Sequence, residues 1–487
     1  GVDIANNGDG EVINGLLNVN NGEANGDNVD FEGADFFANV LPDTFVADGA
    51  ALLFADGNNN FEVYGLANLD EAGVDNVDDN SFLLDFNVVR GDDLDEGDAS
   101  QVYLMVTNYL ADLGGSEDPN SARVGSALEE LGLGGGEYTD EVLLALMNAT
   151  SQEEVDEILA ALVSTLDGGA INTLLNFTND SLDVVDWQLA DLRINGDQSR
   201  GVSAGNNGQG ARVWGQAFGS TANRDSDGSM TADKGYDADG WGFAAGIDTR
   251  AAGHNSVVGL AFSYAQTDVD SDNVNQTNTE VDSYQLTAYG EVGLGNNSYA
   301  NAMIGYVWGQ NDTDRMVLFG GTVTGDYDSD LFAARAEVGH DVKSGDMTFT
   351  PSLLANYATY SADDYTETGF GGLDVSTEDV DLFELGIGAD VSWDMKQTDG
   401  GVFRPNLAAG WRYDFIADEV QTMSSFISGP SPVFLGVGAS PDENKFNLGA
   451  GVKYIAPGNW ELTANYGFDF SENYDAHSGM VRAGFRF

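Results

Sequence analysis

Three histidines, His254, His340 and His477, are the first place to look for acid–base chemistry, and His340-Asp341 has the carboxylate neighbour that such chemistry uses. All three lie in or beside alternating stretches, where a solvated pair at a strand end is the ordinary reading. No HExxH, GxSxG, GxGxxG fingerprint or P-loop lies in the strand–helix context it requires. Asn223-x-Asp225-x-Asp227-Gly228 opens like a calcium loop. Its twelfth position is Lys234 where a bidentate Glu belongs, so an EF-hand is rejected; loose divalent binding by acidic loops stays open. No catalytic residue, cofactor or metal is therefore expected.

The charged residues carry a different chemistry, which is pairing in a confined space. The chain has 81 acidic and 18 basic residues and a formal net charge of −63. Among the scarce cations after position 211, Arg212, Arg335, Arg404, Arg412, Lys445, Lys453, Arg482 and Arg486 fall on the polar face of alternating segments. Glu291, Glu337, Glu384, Asp390, Glu461 and Asp469 share that face. Cations placed so can pair with anions in a lumen, or simply balance carboxylates on a solvated face. A third set, Asp183, Asp186 and Asp191, follows helical spacing and offers such a wall a partner.

About twelve segments must position these residues, and a single-chain barrel needs an even number. They centre on Val213–Phe218, Trp241–Ile247, Val258–Tyr264, Tyr284–Val292, Ala300–Trp308, Phe332–Val338, Phe349–Tyr357, Phe383–Trp393, Pro405–Phe415, Phe446–Tyr454, Trp460–Phe470 and Val481–Phe487. In the eighth, Phe383, Leu385, Ile387, Ala389, Val391 and Trp393 alternate with Glu384, Gly386, Gly388, Asp390 and Ser392. Aromatics end the apolar faces and aliphatics fill them, the order expected of a lipid band between two girdles. In the last, Val481, Ala483, Phe485 and Phe487 share one face and Arg482 and Arg486 the other. A closed barrel would pair Val213–Phe218 with Val481–Phe487, leaving no sheet edge.

The rest of the chain reads differently. Residues 1–110 hold strand-length apolar pieces among Asn, Asp and Gly, with no clean repeat period, and read as a β-solenoid end or small β cap. Residues 111–180 turn helical, with Asn120 as a candidate cap and Ser151 to Glu154 as a capping box. Residues 181–210 give a helix from Ser181 to Ile194 and a Gly-rich breaker, Asp197 to Gly210; 211–487 is the barrel. The fold class is thus mainly β, a twelve-stranded antiparallel transmembrane barrel behind a helical region and a short N-terminal β region.

Composition narrows the partners. The acidic excess excludes nucleic acid or an anionic membrane surface held by charge, and fits surroundings rich in salt or divalent cations. Cysteine is absent, so no disulfide framework exists. Mean hydropathy is −0.22 and no run of about 18 apolar residues occurs, so no transmembrane helix is expected. Gly1 is not a start methionine and no signal peptide follows it, which suits a mature or trimmed product.

From about Val102 to Phe487 the chain resembles the classical (type Va) autotransporters of Gram-negative bacteria. ALEELGLGGGEYTDEVLLALMNATSQEEVDEILAALVSTL is similar to the helical region before the family's translocator. ARVWGQAFGS and GWGFAAGIDTR resemble its first two strands, and GMVRAGFRF its C-terminal assembly signal. The resemblance implies a barrel in the outer-membrane lipid, a helix through its lumen, and an N-terminal passenger exported through it to the cell surface. It also implies the barrel-assembly machinery and periplasmic chaperones as partners, with Val481, Ala483, Phe485 and Phe487 as the signal read. Some members cut themselves at an Asn-Asn bond in the barrel; Asn206-Asn207 is such a pair, outside the expected lumenal helix. The competing reading is a porin or channel with an N-terminal plug domain. A barrel enzyme would need a catalytic cluster on the long loops Tyr360 to Glu378 or Ala417 to Asn444, and neither contains His.

Overall fold

The computed structural model describes residues 81–90, 101–108, 118–195 except 133 and 166, 212–226, 234–250, and 256–485 except 399, 439, 458 and 459. It also describes short pieces before residue 80, at 2–6, 12–14, 17–18, 29–30, 36–40, 50–56, 63–64 and 77–79. Two compact units result. One is Gly1–Val163 with Ser425–Phe434; the other is Ser164–Ser424 with Leu435–Phe487.

In the first unit most of the early strands stack in parallel, although Ile4 faces Asn14 in an antiparallel pair. Val2 stands beside Ala38, Leu17 beside Ala55, Val29 beside Val63 and Phe36 beside Val77, offsets of 36 (2 to 38), 38 (17 to 55), 34 (29 to 63) and 41 (36 to 77) residues. Leu84–Arg90 and Ala51–Asp56 then flank Gln101–Asn108 antiparallel, burying Leu84, Phe86, Val88, Leu104 and Val106. Three helices follow: α1 Pro119–Leu131, α2 Glu137–Met147 and α3 Gln152–Ala160. The cap of α1 is Asp118, whose Oδ1 accepts from the Asn120 and Ser121 amides at 2.8 and 3.2 Å, and not Asn120 as the sequence suggested. Pro119 explains the shift, because its fixed φ and missing N–H suit the first helical position. Ser151 caps α3, while Glu154 Oε2 accepts from the Thr150 amide at 2.9 Å.

The second unit is a helix and a closed sheet. Helix α4 runs Gly169–Asn195. It passes through Ser181 without a break, so the apolar piece Ile171–Phe177 forms its first turns. The expected boundary at 180/181 therefore falls inside one helix. The twelve strands are β1 Arg212–Asp225, β2 Gly235–Arg250, β3 Ser256–Ser271, β4 Asn278–Gly295, β5 Ser298–Val317, β6 Gly321–His340, β7 Met347–Ala362, β8 Val380–Trp393, β9 Val402–Asp414, β10 Asn444–Ile455, β11 Trp460–Phe470 and β12 Tyr474–Phe485. Each pairs antiparallel with its chain neighbours, and β12 pairs with β1, closing the ring. At the seam Ala217 faces Val481 and Arg224 faces Tyr474. Of the expected match of Val213–Phe218 with Val481–Phe487, the described pairs keep Ala217–Val481 alone. Tilted strands must stagger to close a barrel, and β12 begins at Tyr474.

The wall is turned inside out relative to a soluble protein. Trp241, Phe262, Leu286, Ile304, Leu385, Leu407, Leu448 and Leu462 face outward and are exposed. Ser263, Ser283, Gln285, Thr287, Arg335 and Glu384 face inward and are buried. A band of apolar side chains on the outside of a closed sheet is what a bilayer requires, since no backbone group is left for lipid to satisfy.

The barrel lumen as candidate functional site

Helix α4 lies along the lumen, and its two faces make two kinds of contact with the wall. Ile171, Leu174, Phe177, Leu182, Val185, Leu189 and Leu192 share a stripe at helical spacing. They form one buried cluster with inward side chains of the first six strands, among them Ala244, Ala261, Ala265, Val281, Met303, Val307, Leu331 and Ala333. Small residues on β2 and β3 let the helix approach closely, while larger ones fill the far side.

The opposite face is polar and bonded to the wall. Arg335 Nη1 contacts Asp183 Oδ1 at 2.5 Å and Asp186 Oδ2 at 3.6 Å, and Nη2 donates to Asn179 Oδ1 at 2.9 Å. Its Nε donates to Asn356 Oδ1 at 2.9 Å, which fixes the guanidinium from behind. Asn301 donates to Asp186 at 2.9 Å. Lys453 pairs with Asp191 and, at 3.1 Å, with Glu461. Arg482 donates to Gln188 Oε1 at 2.5 Å, and Gln188 donates to Asp248 at 2.9 Å. Asp248 also takes Arg212 at 2.5 Å and the Tyr289 hydroxyl at 3.3 Å. Arg193, near the helix C-terminus, pairs with Glu291 and sits 3.5 Å over the Tyr299 ring.

The expected lumenal residues therefore divide into groups. Arg335 and Lys453 meet the helix acids Asp183, Asp186 and Asp191, and Glu461 joins them through Lys453. Arg482 meets the helix through a neutral Gln, and lies 3.9 Å from Glu461. Arg412 and Lys445 turn to wall carboxylates: Arg412 to Asp469 at 3.0 Å and Glu384 at 3.7 Å, Lys445 to Glu384 at 3.0 Å and Asp414 at 3.3 Å. Arg404 pairs with Asp394 rather than the helix. Glu337 accepts from the Tyr299 hydroxyl at 2.5 Å, and Asp390 lines the open part of the lumen. Val481 and Ala483 face outward, while the Phe485 side chain, Arg486 and Phe487 lie outside the described residues. So do the Asp197–Gly210 linker and Asn206-Asn207. Gln188, Arg193 and Asp248 were missed. Only their position on the polar helix stripe or an inward strand register signals them, because Gln carries no charge and Arg193 lay beyond the acids.

At the end with the longer connections the chain is held where it enters the barrel. The Ser164 and Thr422 hydroxyls are 2.8 Å apart, and Ser424 donates to Ser164 at 3.2 Å. Thr165 donates to Thr277 at 2.9 Å, and Arg224 to the Asp167 carbonyl at 3.1 Å. Asp167 Oδ1 accepts from the Gly169 amide at 2.7 Å and so starts α4. Nearby, Tyr365 stacks on Tyr327 with centroids 4.7 Å apart, and burial pushes the Tyr365 hydroxyl up from its ordinary value. The buried Arg315–Glu367 pair at 2.5 Å pins the same hairpin.

A helix clamped inside a closed twelve-stranded sheet is a specific arrangement, and the family model of the autotransporter beta-domain matches residues 213–467 of this chain. The chain belongs to that family. It is similar to outer membrane protein B of Rickettsia prowazekii (strain Madrid E), 21% identical over 363 residues that make up 69% of this chain and 22% of that protein. It is also similar to the putative uncharacterized protein YaiT of Escherichia coli (strain K12), 27% identical over 207 residues, 42% of this chain and 20% of that protein. The chain thus spans about a fifth of the length of the curated relatives it matches. The translocator domain of autotransporter NalP from Neisseria meningitidis overlays it with a TM-score of 0.46 at 18% identity, covering 63% of this chain and 98% of that one. The barrel is an outer-membrane translocator domain of a Gram-negative bacterium, and the porin alternative is not favoured.

Proposed function

We propose that α4 is the last exported segment of the chain's own passenger, left in the pore as a plug. The observation that carries this is continuity. One stretch, 164–195, is bonded at the mouth through Ser164, Thr165 and Asp167, along the lumen through Asp183 and Asp186, and at the far end through Asp191 and Arg193. A segment that had only to insert would not need partners at every level. On this reading residues 1–110 are the end of a β-solenoid passenger at the cell surface, which the parallel stacking of Val2 on Ala38 and Val29 on Val63 supports. The helical region before Ser164, with α1 to α3, joins it to the pore. The chain transports and anchors; it performs no catalysis and binds no cofactor. Before insertion, periplasmic chaperones and the barrel-assembly machinery handle it, the latter reading the face of Val481, Ala483, Phe485 and Phe487.

Removing residues 1–200 should raise single-channel conductance in planar bilayers well above that of the intact chain. Equal conductance would show that the helix does not occupy the pore. Deleting Phe487 should cripple membrane insertion in cells while leaving refolded barrel stability nearly unchanged. One aromatic at a strand end contributes only about 2–3 kcal/mol of burial. Normal insertion of the deletion variant would remove the assembly signal from this reading.

A further inference from the structure

The helix does not fill the lumen. It packs against the first six strands, and the space left beside it forms two cavities, lined mostly by the later strands and in part by the first six. One, of about 140 Å³, reaches the connections at 440–442 and 471–473. The other, of about 290 Å³, reaches the opposite end near Thr348, Ser392 and Arg404. The two share only four lining residues, Asp183, Arg412, Asp469 and Ser478, so one level of the barrel divides them.

At that level the wall is built to hold a charge in the way. Arg412 and Lys445 stand directly opposite each other on β9 and β10. Two cations so placed repel unless carboxylates come between them. Glu384 lies 3.7 Å from Arg412 and 3.0 Å from Lys445, Asp414 takes Lys445 from one side, and Asp469 takes Arg412 from the other at 3.0 Å. The Arg412 side chain is 14% exposed, while Asp469 at 39% and the helix residue Asp183 at 44% reach into open space. Asp183 is anchored by Arg335 of β6. A single side-chain bridge, Arg412 to Asp469, thus stands beside Asp183 where the two cavities meet.

We propose that a water-filled path for small ions runs past the plugging helix and that the Arg412–Asp469 bridge is its gate. The proposal rests on the reading that α4 stays in the pore. Charged side chains at a constriction govern both passage and selectivity, and a bridge that can part on a side-chain timescale gates without moving the helix. In planar bilayers with potassium chloride, the intact chain should show small, flickering unit currents. Asp469→Asn and Arg412→Gln should each raise unit conductance severalfold, still below that of the barrel lacking residues 1–200. The charge exchange Arg412→Asp with Asp469→Arg should restore the small currents, which separates a lost bridge from a damaged barrel. Asp268→Asn, on the outer face, should change nothing, and heat-modifiable migration on gels reports folding of each variant. Small currents that stay unchanged in Asp469→Asn and Arg412→Gln would overturn the gate and leave the plug standing. An intact chain that conducts as well as the barrel without residues 1–200 would remove the plug, and the gate with it.

Discussion

The two faces of α4 are held in the lumen by opposite means. The inner faces of β3 to β6 offer Ala261, Val281, Met303, Val307 and Leu331 to its apolar stripe. Its polar face meets Asn301 and Arg335 on β5 and β6, and Lys453 and Arg482 on β10 and β12. Burial of the stripe is non-directional, so it sets how tightly the helix sits but not at what height. A one-turn slide would keep much of the apolar contact. The ion pairs are directional, and a slide breaks Arg335–Asp183 and Lys453–Asp191 together. The apolar stripe thus supplies affinity and the polar face supplies register. The wall itself is uneven, with 20 residues in β5 and β6 against 12 in β10 and 11 in β11.

The largest effect should come from spoiling the apolar seat. Leu189 is fully buried against it. Leu189→Asp would place a carboxylate among aliphatics with no partner, a cost of several kcal/mol, about 3 or more. Hydrogen exchange of α4 should accelerate by orders of magnitude while the strands keep their protection. Slow exchange in α4 after this change would mean the ion pairs alone retain the helix.

A smaller effect is expected from the clamp. Arg335→Met keeps bulk and removes the charge that meets Asp183 and Asp186. Asp183 is 44% exposed, so water recovers part of the loss, and the cost should be about 1–3 kcal/mol. Exchange in α4 should rise by one to two orders of magnitude, in line with about 1.4 kcal/mol per factor of ten. The clearer sign is register. With one Cys on the helix at 187 and one on the wall, crosslinks should spread over neighbouring wall positions in Arg335→Met, whereas Leu189→Ala should weaken one crosslink without spreading it. Identical patterns in the two variants would erase the distinction between the two faces.

The barrel was readable because lipid makes the outer face obey one rule. Phe383, Leu385 and Ile387 must all be apolar, and period two then fixes their neighbours as lumenal. The ladder pairing was less readable, since stagger at the seam depends on where β12 starts and on tilt, which alternation does not encode. The start of α4 was hidden by Asn176 and Asn179, which interrupt the apolar spacing before Ser181. In the lumen both face partners: Asn176 donates to Tyr474 at 2.6 Å and Asn179 accepts from Arg335 at 2.9 Å. The solenoid was legible only as strand-length apolar pieces, because its parallel offsets, 34 to 41 residues, vary by rung and so leave no fixed period. Which cation meets which anion was the least legible. Asp183, Asp186 and Asp191 lie on α4, but Arg404 and Arg412 pair with carboxylates of the wall, Asp394 and Asp469.

The smallest expected effect lies on the outside of the long half, and it tests whether cations are concentrated in the lumen at a cost elsewhere. Beyond the aromatics Tyr264, Tyr284 and Trp308, the outward residues of β2 to β6 become acidic. Asp239 faces Asp268, Asp268 faces Glu280, Glu280 faces Asp312 and Asp312 faces Asp326, a row of carboxylates across five strands. All five are exposed. Like charges directly opposite oppose pairing by about 0.2–1 kcal/mol each. Salt should relieve this, because the Debye length falls from about 30 Å at 0.01 M to about 3 Å at 1 M. Buried pairs such as Lys453–Asp191 and Arg315–Glu367 should respond far less. Asp268→Asn with Glu280→Gln should therefore raise the thermal midpoint in low salt and leave it unchanged near 1 M, flattening the salt dependence. Glu472→Gln, in the turn between β11 and β12, serves as the control for net charge alone. If it flattens the curve as much as the double change does, the row has no energetic identity, and the acidic surface acts only through its sum.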